Sequence, residues 1–270
     1  MYMKQSLGNL ERKLFAYAQL RGITRLYSGD LVKALGMTVE QEKKLFTRLA
    51  AARMIAQVRR GFYLVPKKLP LGGIWTPSEG EALNALIQNK DGKYQICGPN
   101  TFNRYGYDEQ IPNRVYAYNN RLYGDKTIGS VNLTLIKVSD KRLGATEEIR
   151  GSDGELVVYS SRVRTLIDAV YDWTRFDSLP RGFQWMRSDL RRRKVTARDL
   201  TATAIAFGDV ATKRRIGYLL EQEGVEERLL KQVEKTLRPT SAYIPWNPKK
   251  PKRGRVVPRW GVVDNEQDQD

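Results

Sequence analysis

Two pairs of carboxylates have a spacing that could support metal-dependent chemistry. Asp153 and Glu155 stand two residues apart before the apolar stretch LVVY, much as acidic pairs do in metal-dependent nucleases. No lysine follows at the spacing such nucleases require, and Gly-Ser-Asp-Gly at 151–154 predicts a turn instead. Asp168 and Asp172 lie one helical turn apart, but such pairs usually form a solvated edge or helix-loop contacts. We therefore predict no metal site at either pair.

The sequence lacks most of the side chains on which enzymes rely. It contains no histidine and one cysteine, Cys97, which excludes histidine bases, Cys/His metal sites and an intrachain disulfide. Cys97 lies in an apolar stretch without a histidine to activate it, so we expect a small core residue. No phosphate-binding loop of the GxxxxGK type is present. We expect no catalytic residue and no cofactor.

Positive charge is the dominant property of the 270-residue sequence. The formal net charge is +17, and +10 of it lies in residues 1–70. Such an excess repels itself in a compact state, and it is usually tolerated because a polyanion or an acidic protein binds. The N-terminus lacks the apolar core of a signal peptide, and no stretch approaches the length of a membrane span. We expect a cytoplasmic protein that contacts nucleic acid and no membrane.

The hydrophobic pattern of residues 1–70 predicts a winged helix-turn-helix. Apolar residues recur at helical spacing over 10–20, 31–35 and 39–53, and only Gly36 and Met37 separate the second helix from the third. MIAQVRR, a glycine and FYLV then predict two strands around a basic turn.

Three helix starts are predicted from capping residues. Ser28 is the expected N-cap of the second helix, and Thr38 with Gln41 forms a capping box for the third. Thr76-Pro77-Ser78-Glu79 forms a further capping box, with proline at the first helical position, before EALNALIQ.

Beyond residue 70 the pattern predicts a second α+β region. LPLGG at 69–73 is the expected joint, and strand-like segments follow to about residue 160. From Ser161 the period is helical and predicts a bundle of four or five helices, followed by two terminal strands or an extended arm around the basic loop Lys249–Arg255. The predicted division is a winged helix-turn-helix domain at 1–70, a C-terminal α+β domain at 74–263 and a disordered acidic tail at 264–270.

The third helix and the following turn carry the predicted DNA contacts. Leu45, Leu49 and Ala52 should face inward, which leaves a basic face outward. Arginine can grip a guanine edge, threonine can contact a base, and wing arginines can reach phosphate or a narrow minor groove. Residues just before the second helix should orient a phosphate at its N-terminal amides. The predicted DNA-binding residues are Arg25, Tyr27, Ser28, Lys43, Lys44, Thr47, Arg48, Arg59 and Arg60.

Two alternatives stay open for the basic residues. The N-terminal module could be a protein-interaction domain whose lysines and arginines form a solvated face. The basic runs Arg191–Lys194, Lys213–Arg215 and Lys249–Arg255 are each typical of solvated surface, but together they could extend the DNA surface or bind an acidic partner.

Several segments together resemble the AbiEi antitoxins of type IV toxin-antitoxin systems. They are FYLVPKK, GIWTPSEGEALNALI, GPNTFNRYGYDEQIPNRVYAYNN, SSRVRTLIDAV, KRRIGYLLEQEG and WGVVDN. The resemblance covers nearly the whole chain, although none of these motifs is a catalytic signature. It implies an N-terminal winged helix that binds inverted repeats in its own promoter and represses its operon, in the setting of phage defence.

The same resemblance implies a C-terminal domain that counters a nucleotidyltransferase-like toxin. Lys213, Arg214, Arg215 and Tyr218 are the residues we expect to contact this toxin. The alternative function is a ligand-responsive winged-helix transcriptional regulator without a toxin partner. An enzyme that acts on nucleic acid or phosphorylates the toxin is a third reading, which lacks an organised acidic motif.

Overall fold

The chain has a mixed α+β architecture, the class predicted from the sequence. A computed structural model describes residues 7–70, 72–87, 90–151 and 153–266. The helices are α1 Asn9–Arg21, α2 Asp30–Leu35, α3 Val39–Ala51, α4 Glu79–Ile87, α5 Pro99–Arg104, α6 Arg162–Tyr171, α7 Trp173–Phe176, α8 Arg181–Arg191, α9 Ala197–Phe207, α10 Val210–Gln222 and α11 Glu227–Glu234. The strands are β1 Arg25–Tyr27, β2 Ala56–Arg59, β3 Phe62–Leu64, β4 Tyr94–Ile96, β5 Val115–Asn119, β6 Gly124–Ile128, β7 Val131–Lys137, β8 Thr146–Arg150, β9 Leu156–Ser160, β10 Ile244–Pro245, β11 Arg255–Val257 and β12 Val262–Asp264.

The chain divides into two compact units. The first comprises residues 1–94, 113–137 and 148–157, and the second comprises residues 95–112, 138–147 and 158–270. This division differs from the predicted boundary near residue 74, because the chain between residues 74 and 160 contributes segments to both units.

A first apolar core joins α1, α2 and α3 to a three-stranded sheet of order β1-β3-β2. Leu45, Phe46 and Leu49 are buried on one side of α3, as their helical spacing dictates. Phe46 stacks on Tyr63 of β3, with ring centroids 4.4 Å apart. The predicted hairpin is confirmed as β2 and β3, which pair antiparallel. Strand β1, which pairs antiparallel with β3, was not predicted.

Backbone and side-chain caps define the helix ends. The capping box of Thr38 and Gln41 is confirmed at the start of α3. The prediction of Ser28 as a cap is wrong, because the N-cap of α2 is Gly29, in a positive-φ conformation that glycine adopts without a steric penalty. The box predicted from Thr76 is displaced by two residues. The hydroxyl of Ser78 accepts from the Glu81 amide, and the Glu81 carboxylate accepts from the Ser78 amide.

A buried carboxylate connects α3 to α2. Glu42 lies among the apolar positions of α3 with 3 % of its surface exposed. Its Oε2 accepts a hydrogen bond from the Gly29 amide at 2.7 Å, and its Oε1 accepts one from the Leu31 amide at 2.9 Å. These amides begin α2 and have no partner within that helix. Glu42 therefore caps α2 from a different helix.

A six-stranded sheet has the strand order β6-β7-β5-β4-β9-β8. Strand β7 pairs antiparallel with β6 across a tight turn, and it pairs parallel with β5. Strands β4 and β9 also pair parallel, with Ile96 opposite Tyr159. The region predicted as strand-like thus forms one mixed sheet.

Helices α6 to α11 form the apolar core of the second unit, where a helical bundle was predicted. Asp168 of α6 is fully buried and pairs with the guanidinium groups of Arg142 and Arg164. The Arg164 guanidinium is equally buried and also donates to the carbonyl oxygens of Arg142 and Gly144. Asp168 is thus a structural residue, as predicted.

The terminal segment forms a three-stranded sheet of order β10-β12-β11, where two strands or an arm were predicted. The prediction of a disordered tail from residue 264 is wrong for its first residues. Asp264 ends β12 and is buried, and its carboxylate accepts a hydrogen bond from the Tyr218 hydroxyl at 2.6 Å. Asn265 is buried as well, because its side chain bonds backbone groups of the preceding loop. Residues 267–270 lie outside the described residues.

The Glu42 cap predicts a local loss of stability when its carboxylate is removed. In Glu42→Ala, the Gly29 and Leu31 amides lose their acceptor, which should lower the free energy of unfolding by about 1–3 kcal/mol. Urea denaturation measures this loss, and hydrogen exchange at these two amides should accelerate.

Glu40→Ala on the exposed side of the same helix is the matched control. Glu40 forms only an exposed ion pair with Lys44, so its loss should change stability by less than about 0.5 kcal/mol. Equal effects of the two substitutions would contradict the capping role of Glu42.

Candidate nucleic-acid interface

The outer face of α3 carries four of the predicted DNA-binding residues. Lys43, Lys44, Thr47 and Arg48 are all exposed, because the apolar positions of the helix face the core. Of the residues expected inward, Leu45 and Leu49 are buried and Ala52 is half-buried. The predicted orientation of α3 is therefore confirmed.

Each of three side chains on this face has an internal partner. Lys44 pairs with Glu40 at 2.8 Å, and Arg48, which is 60 % exposed, pairs with Glu11 of α1 at 2.9 Å. The Thr47 hydroxyl donates to the Lys43 carbonyl oxygen at 2.9 Å. The Lys44–Glu40 pair is exposed on both sides, and such pairs contribute roughly 0–1 kcal/mol, so it can open when a stronger anionic partner approaches. The face is thus accessible, with the Arg48 side chain oriented by α1.

The turn between β2 and β3 holds two more predicted residues, Arg59 and Arg60, both exposed. Gly61 follows them with φ +73°, a conformation that L side chains rarely adopt. Its carbonyl oxygen accepts a hydrogen bond from the Ser28 amide at 3.0 Å, which joins the turn to the segment before α2.

Strand β1 brings the remaining predicted residues beside the turn. Tyr27 stacks on Phe62 of β3, with ring centroids 4.7 Å apart and nearly parallel planes. The Arg59 guanidinium lies 5.7 Å from the centre of the same ring. Arg25 is half-buried in β1, where it stands opposite Leu64. Sequence reasoning grouped these residues without predicting the strand that aligns them.

A groove of about 790 Å³ separates α3 from the hairpin. Lys43 and Thr47 line its helical side, and Arg60 lines its hairpin side. Glu42 and Tyr63 also line it, and burial, followed by the nearby Glu42 carboxylate, raises the pKa of the Tyr63 hydroxyl. The cationic side chains on opposite sides of this groove, Lys43 and Arg60, belong to α3 and to the turn between β2 and β3, the two elements predicted to contact DNA.

At the start of α2, where the sequence suggested a phosphate site, two of the backbone amides have an internal acceptor. The Gly29 and Leu31 amides already donate to Glu42, and the Tyr27 amide donates to Asp30 at 2.7 Å. Ser28 and Tyr27 can therefore contact a phosphate through their hydroxyl groups, and not through the amides at the helix start. Glu42 was missed by sequence reasoning, although a glutamate at an inward position of an amphipathic helix is a detectable signal.

The predicted toxin-contact surface is corrected by the structure. Arg214, Arg215 and Tyr218 are buried, and Lys213 is half-buried. Arg214 donates to the Ala242 carbonyl oxygen and Arg215 to that of Pro245, while the Tyr218 hydroxyl donates to Asp264. The terminal segment from Ala242 to Asp264 covers Arg214, Arg215 and Tyr218, so these three side chains do not form an external contact surface.

The other basic runs differ in their internal contacts. In Arg191–Lys194 all four residues are exposed, and Arg191 pairs with Glu223. In the loop Lys249–Arg255 the basic residues are exposed as well. Lys249 pairs with Asp177, and Arg255 donates to the Tyr218 hydroxyl. Asn265 holds the loop backbone by donating to the carbonyl oxygens of Asn247, Lys250 and Pro251.

The acidic residues considered for metal chemistry have structural partners. The Asp153 carboxylate accepts from the Ser78 hydroxyl and from the Glu155 amide, as expected for a turn. Glu155 accepts from the Asn84 side chain at 3.0 Å. Among the residues that the structure describes, no group of three or more carboxylate, cysteine or histidine side chains could hold a metal ion. Within the same residues, no helix is both long enough and apolar enough to span a membrane.

Comparison with solved structures finds chains that share the fold of this protein. The chain is similar to the crystal structure of the RV2827C protein from Mycobacterium tuberculosis, with a TM-score of 0.60 and 14% sequence identity. The match covers 96% of this chain and 92% of that chain, and at this identity it shows a shared fold alone. No family model matches the chain, and no curated protein matches it.

The turn geometry predicts that Gly61→Ala will destabilise the hairpin. A Cβ at this position would combine positive φ with an approach of 3.1 Å to the Ser28 hydroxyl. We expect a loss of about 1–2 kcal/mol in the free energy of unfolding, measured by urea denaturation.

Gly22→Ala is the matched control, since Gly22 has φ +62° but a Cβ there would meet nothing within 4 Å. It isolates backbone strain from the contact with Ser28. A loss in Gly61→Ala no larger than that in Gly22→Ala would contradict a cost from the approach of the added Cβ to the Ser28 hydroxyl.

Proposed function

We propose that this chain is a sequence-specific duplex DNA-binding protein, and that residues 7–65 form a winged helix-turn-helix. In this proposal α3 is the recognition helix, which enters the major groove, and the β2–β3 turn is the wing. The observation that carries the proposal is the placement of exposed basic residues on opposite sides of one groove, between α3 and the hairpin.

The composition of this surface favours nucleic acid over a protein partner. Protein interfaces are depleted in lysine and usually have an apolar centre. The outer face of α3 has Lys43, Lys44 and Arg48 around a threonine, while its large apolar residues are buried. Lysine and arginine at such positions suit phosphate and guanine, which supply the affinity and the specificity of DNA binding.

The contacts divide into two classes. Lys44, Thr47 and Arg48 are the proposed base-reading residues, because a recognition helix presents its outer face to the floor of the major groove. Arg59, Arg60, Tyr27 and Ser28 are the proposed backbone-positioning residues, because the turn and the end of β1 lie beside each other. Arg25 is half-buried, so its proposed contribution is smaller.

The proposed biological role is that of a non-catalytic antitoxin that represses its own operon through promoter inverted repeats. This part rests on the sequence resemblance to the AbiEi antitoxins, and it includes action against a nucleotidyltransferase-like toxin in the cytoplasm. Because Arg214, Arg215 and Tyr218 are buried, we assign no residues to a toxin contact. The DNA-binding part and the toxin-directed part can therefore be tested separately.

Substitutions on α3 and on the wing should have different effects on DNA binding. Arg48→Ala should cost about 1–3 kcal/mol of binding to the promoter and reduce discrimination against unrelated duplexes. Arg60→Ala should weaken binding to all duplexes and lower the slope of log K against log salt concentration by about one. Gel shifts with promoter and scrambled duplexes at several salt concentrations measure both effects.

Lys13→Ala, an exposed lysine of α1, is the control for a loss of one positive charge. It should leave the salt slope and the specificity unchanged. If Lys44, Thr47, Arg48, Arg59 and Arg60 can all become alanine without loss of promoter binding, the proposed docking is wrong.

The antitoxin role is tested by growth. Expression of the neighbouring gene alone should arrest growth if it encodes the toxin, and co-expression of this chain should restore growth. Restoration should persist in the Arg48→Ala variant when both genes are expressed from unrelated promoters. A non-toxic neighbour, together with promoter binding that responds to a small molecule, would favour the ligand-responsive regulator instead.

A further inference from the structure

A pocket of about 320 Å³ lies within the second unit, between the segment after α11 and the turn that joins β11 to β12. Its volume is at the lower end of the range for small-molecule sites. Its polar lining includes Arg214, Arg238 and Thr240. Its apolar lining comprises Leu237, Pro239, Pro258 and Trp260.

Arg214 is a buried cation without a carboxylate partner among the described residues. It is 9 % exposed, and its Nη1 donates to the Ala242 carbonyl oxygen at 3.1 Å. By contrast, the buried Arg164 pairs with Asp168. Burying a charge is costly unless an opposite charge compensates it nearby. An anion in the pocket would provide this compensation for Arg214.

Gly261 keeps space open beside Arg214, and Gly217 accommodates the Trp260 ring. A Cβ on Gly261 would lie 3.3 Å from the Arg214 Cζ and 3.0 Å from the Thr240 Cγ2. Gly217 leaves room for the Trp260 ring, because a Cβ there would lie 2.2 Å from a ring carbon. Trp260 thus packs closely against α10 at the buried side of the pocket, and Gly261 leaves the space beside the guanidinium unfilled.

The charges around the pocket favour a singly charged ligand. Arg259 also lines it, but this guanidinium already pairs with Glu221, Glu227 and Glu234. Glu234 itself lines the pocket, so a dianion such as phosphate would be repelled more strongly than a monoanion. A guanidinium binds a carboxylate through parallel hydrogen bonds, and the apolar wall suits a compact hydrocarbon body.

We propose that this pocket binds the carboxylate of a small apolar acid, with Arg214 as the main anion ligand and Arg238 at the exposed rim. The ligand class is an aromatic or short aliphatic monocarboxylate. This inference does not depend on the proposed DNA binding, because every group that carries it belongs to the second unit.

The test uses the purified full chain and benzoate as the probe. Isothermal titration and thermal melting should detect benzoate binding beyond the effect of sodium chloride at equal ionic strength. Benzyl alcohol, the neutral analogue of similar shape, should bind at least tenfold more weakly, and inorganic phosphate should also bind more weakly than benzoate.

Arg214→Met should reduce benzoate affinity at least tenfold, because it keeps much of the side-chain volume and removes the charge. Arg238→Ala should reduce affinity severalfold. Arg228→Ala, an exposed arginine of α11 outside the pocket lining, should bind benzoate like the unsubstituted chain. If Arg214→Met does not fold, the comparison of Arg238→Ala with Arg228→Ala decides the matter.

Three results would overturn the proposal. They are no benzoate binding above the chloride background, equal binding of benzoate and benzyl alcohol, and a benzoate affinity in Arg214→Met and Arg238→Ala equal to that of the unsubstituted chain. Tighter binding of phosphate than of benzoate would overturn the assignment to a monocarboxylate.

Discussion

The hydrogen bonds of the Glu42 carboxylate fix the relation between α2 and α3, on which the candidate DNA surface depends. Both oxygens are occupied by the amides that begin α2, so the two helices are joined by polar contacts within an apolar core. A buried carboxylate is costly unless its acceptor sites are filled, and here two charge-assisted hydrogen bonds offset that cost. Because these bonds are directional, they restrict the angle of α3 more closely than apolar packing alone would. The stack of Phe46 on Tyr63 then sets α3 against the hairpin, so both contacts position Lys43, Lys44, Thr47 and Arg48.

The same carboxylate changes how an anion can approach. Helix N-termini commonly bind phosphate through their free amides, and α2 would be a natural place for such a contact. In this chain an internal carboxylate already occupies the Gly29 and Leu31 amides, so these two amides are not free to bind a DNA phosphate. The cationic side chains of α3 and of the turn, with the hydroxyls of Tyr27 and Ser28, are left to provide the proposed phosphate contacts. Binding should then depend strongly on salt, because side-chain cations replace the counterions of the duplex.

Local patterns predicted the elements of the first 65 residues well. The spacing of Leu45 and Leu49, the Thr38 capping box and the glycine after two arginines each depend on neighbours a few residues away. The Ser28 cap was a local error, because the adjacent Gly29 takes that position, whereas the errors beyond residue 65 arose where distant segments decide the outcome. Arginine usually faces solvent, but Arg214 and Arg215 of KRRIGYLLEQEG are buried and donate to the carbonyl oxygens of Ala242 and Pro245, more than 25 residues later. The prediction of a disordered acidic end failed for the same reason. Asp264 is ordered by a hydrogen bond from Tyr218, which is distant in sequence and could not be identified from neighbouring residues.

The basic residues of the chain lie in two different environments. On α3 and the hairpin the basic groups are exposed to bulk water, which solvates their charges. In the proposed complex, DNA phosphates replace part of this water. In the second unit, Arg142 and Arg164 are buried around Asp168, and Arg259 joins three glutamates. A count of lysines and arginines therefore overstates the charge that is presented to a partner. Arg214 belongs to neither group, since it is buried without a described carboxylate and lies beside an open pocket. The environment of Arg214 fits a site that binds a small anion. The exposed basic face of α3 fits a surface that binds an extended polyanion such as DNA.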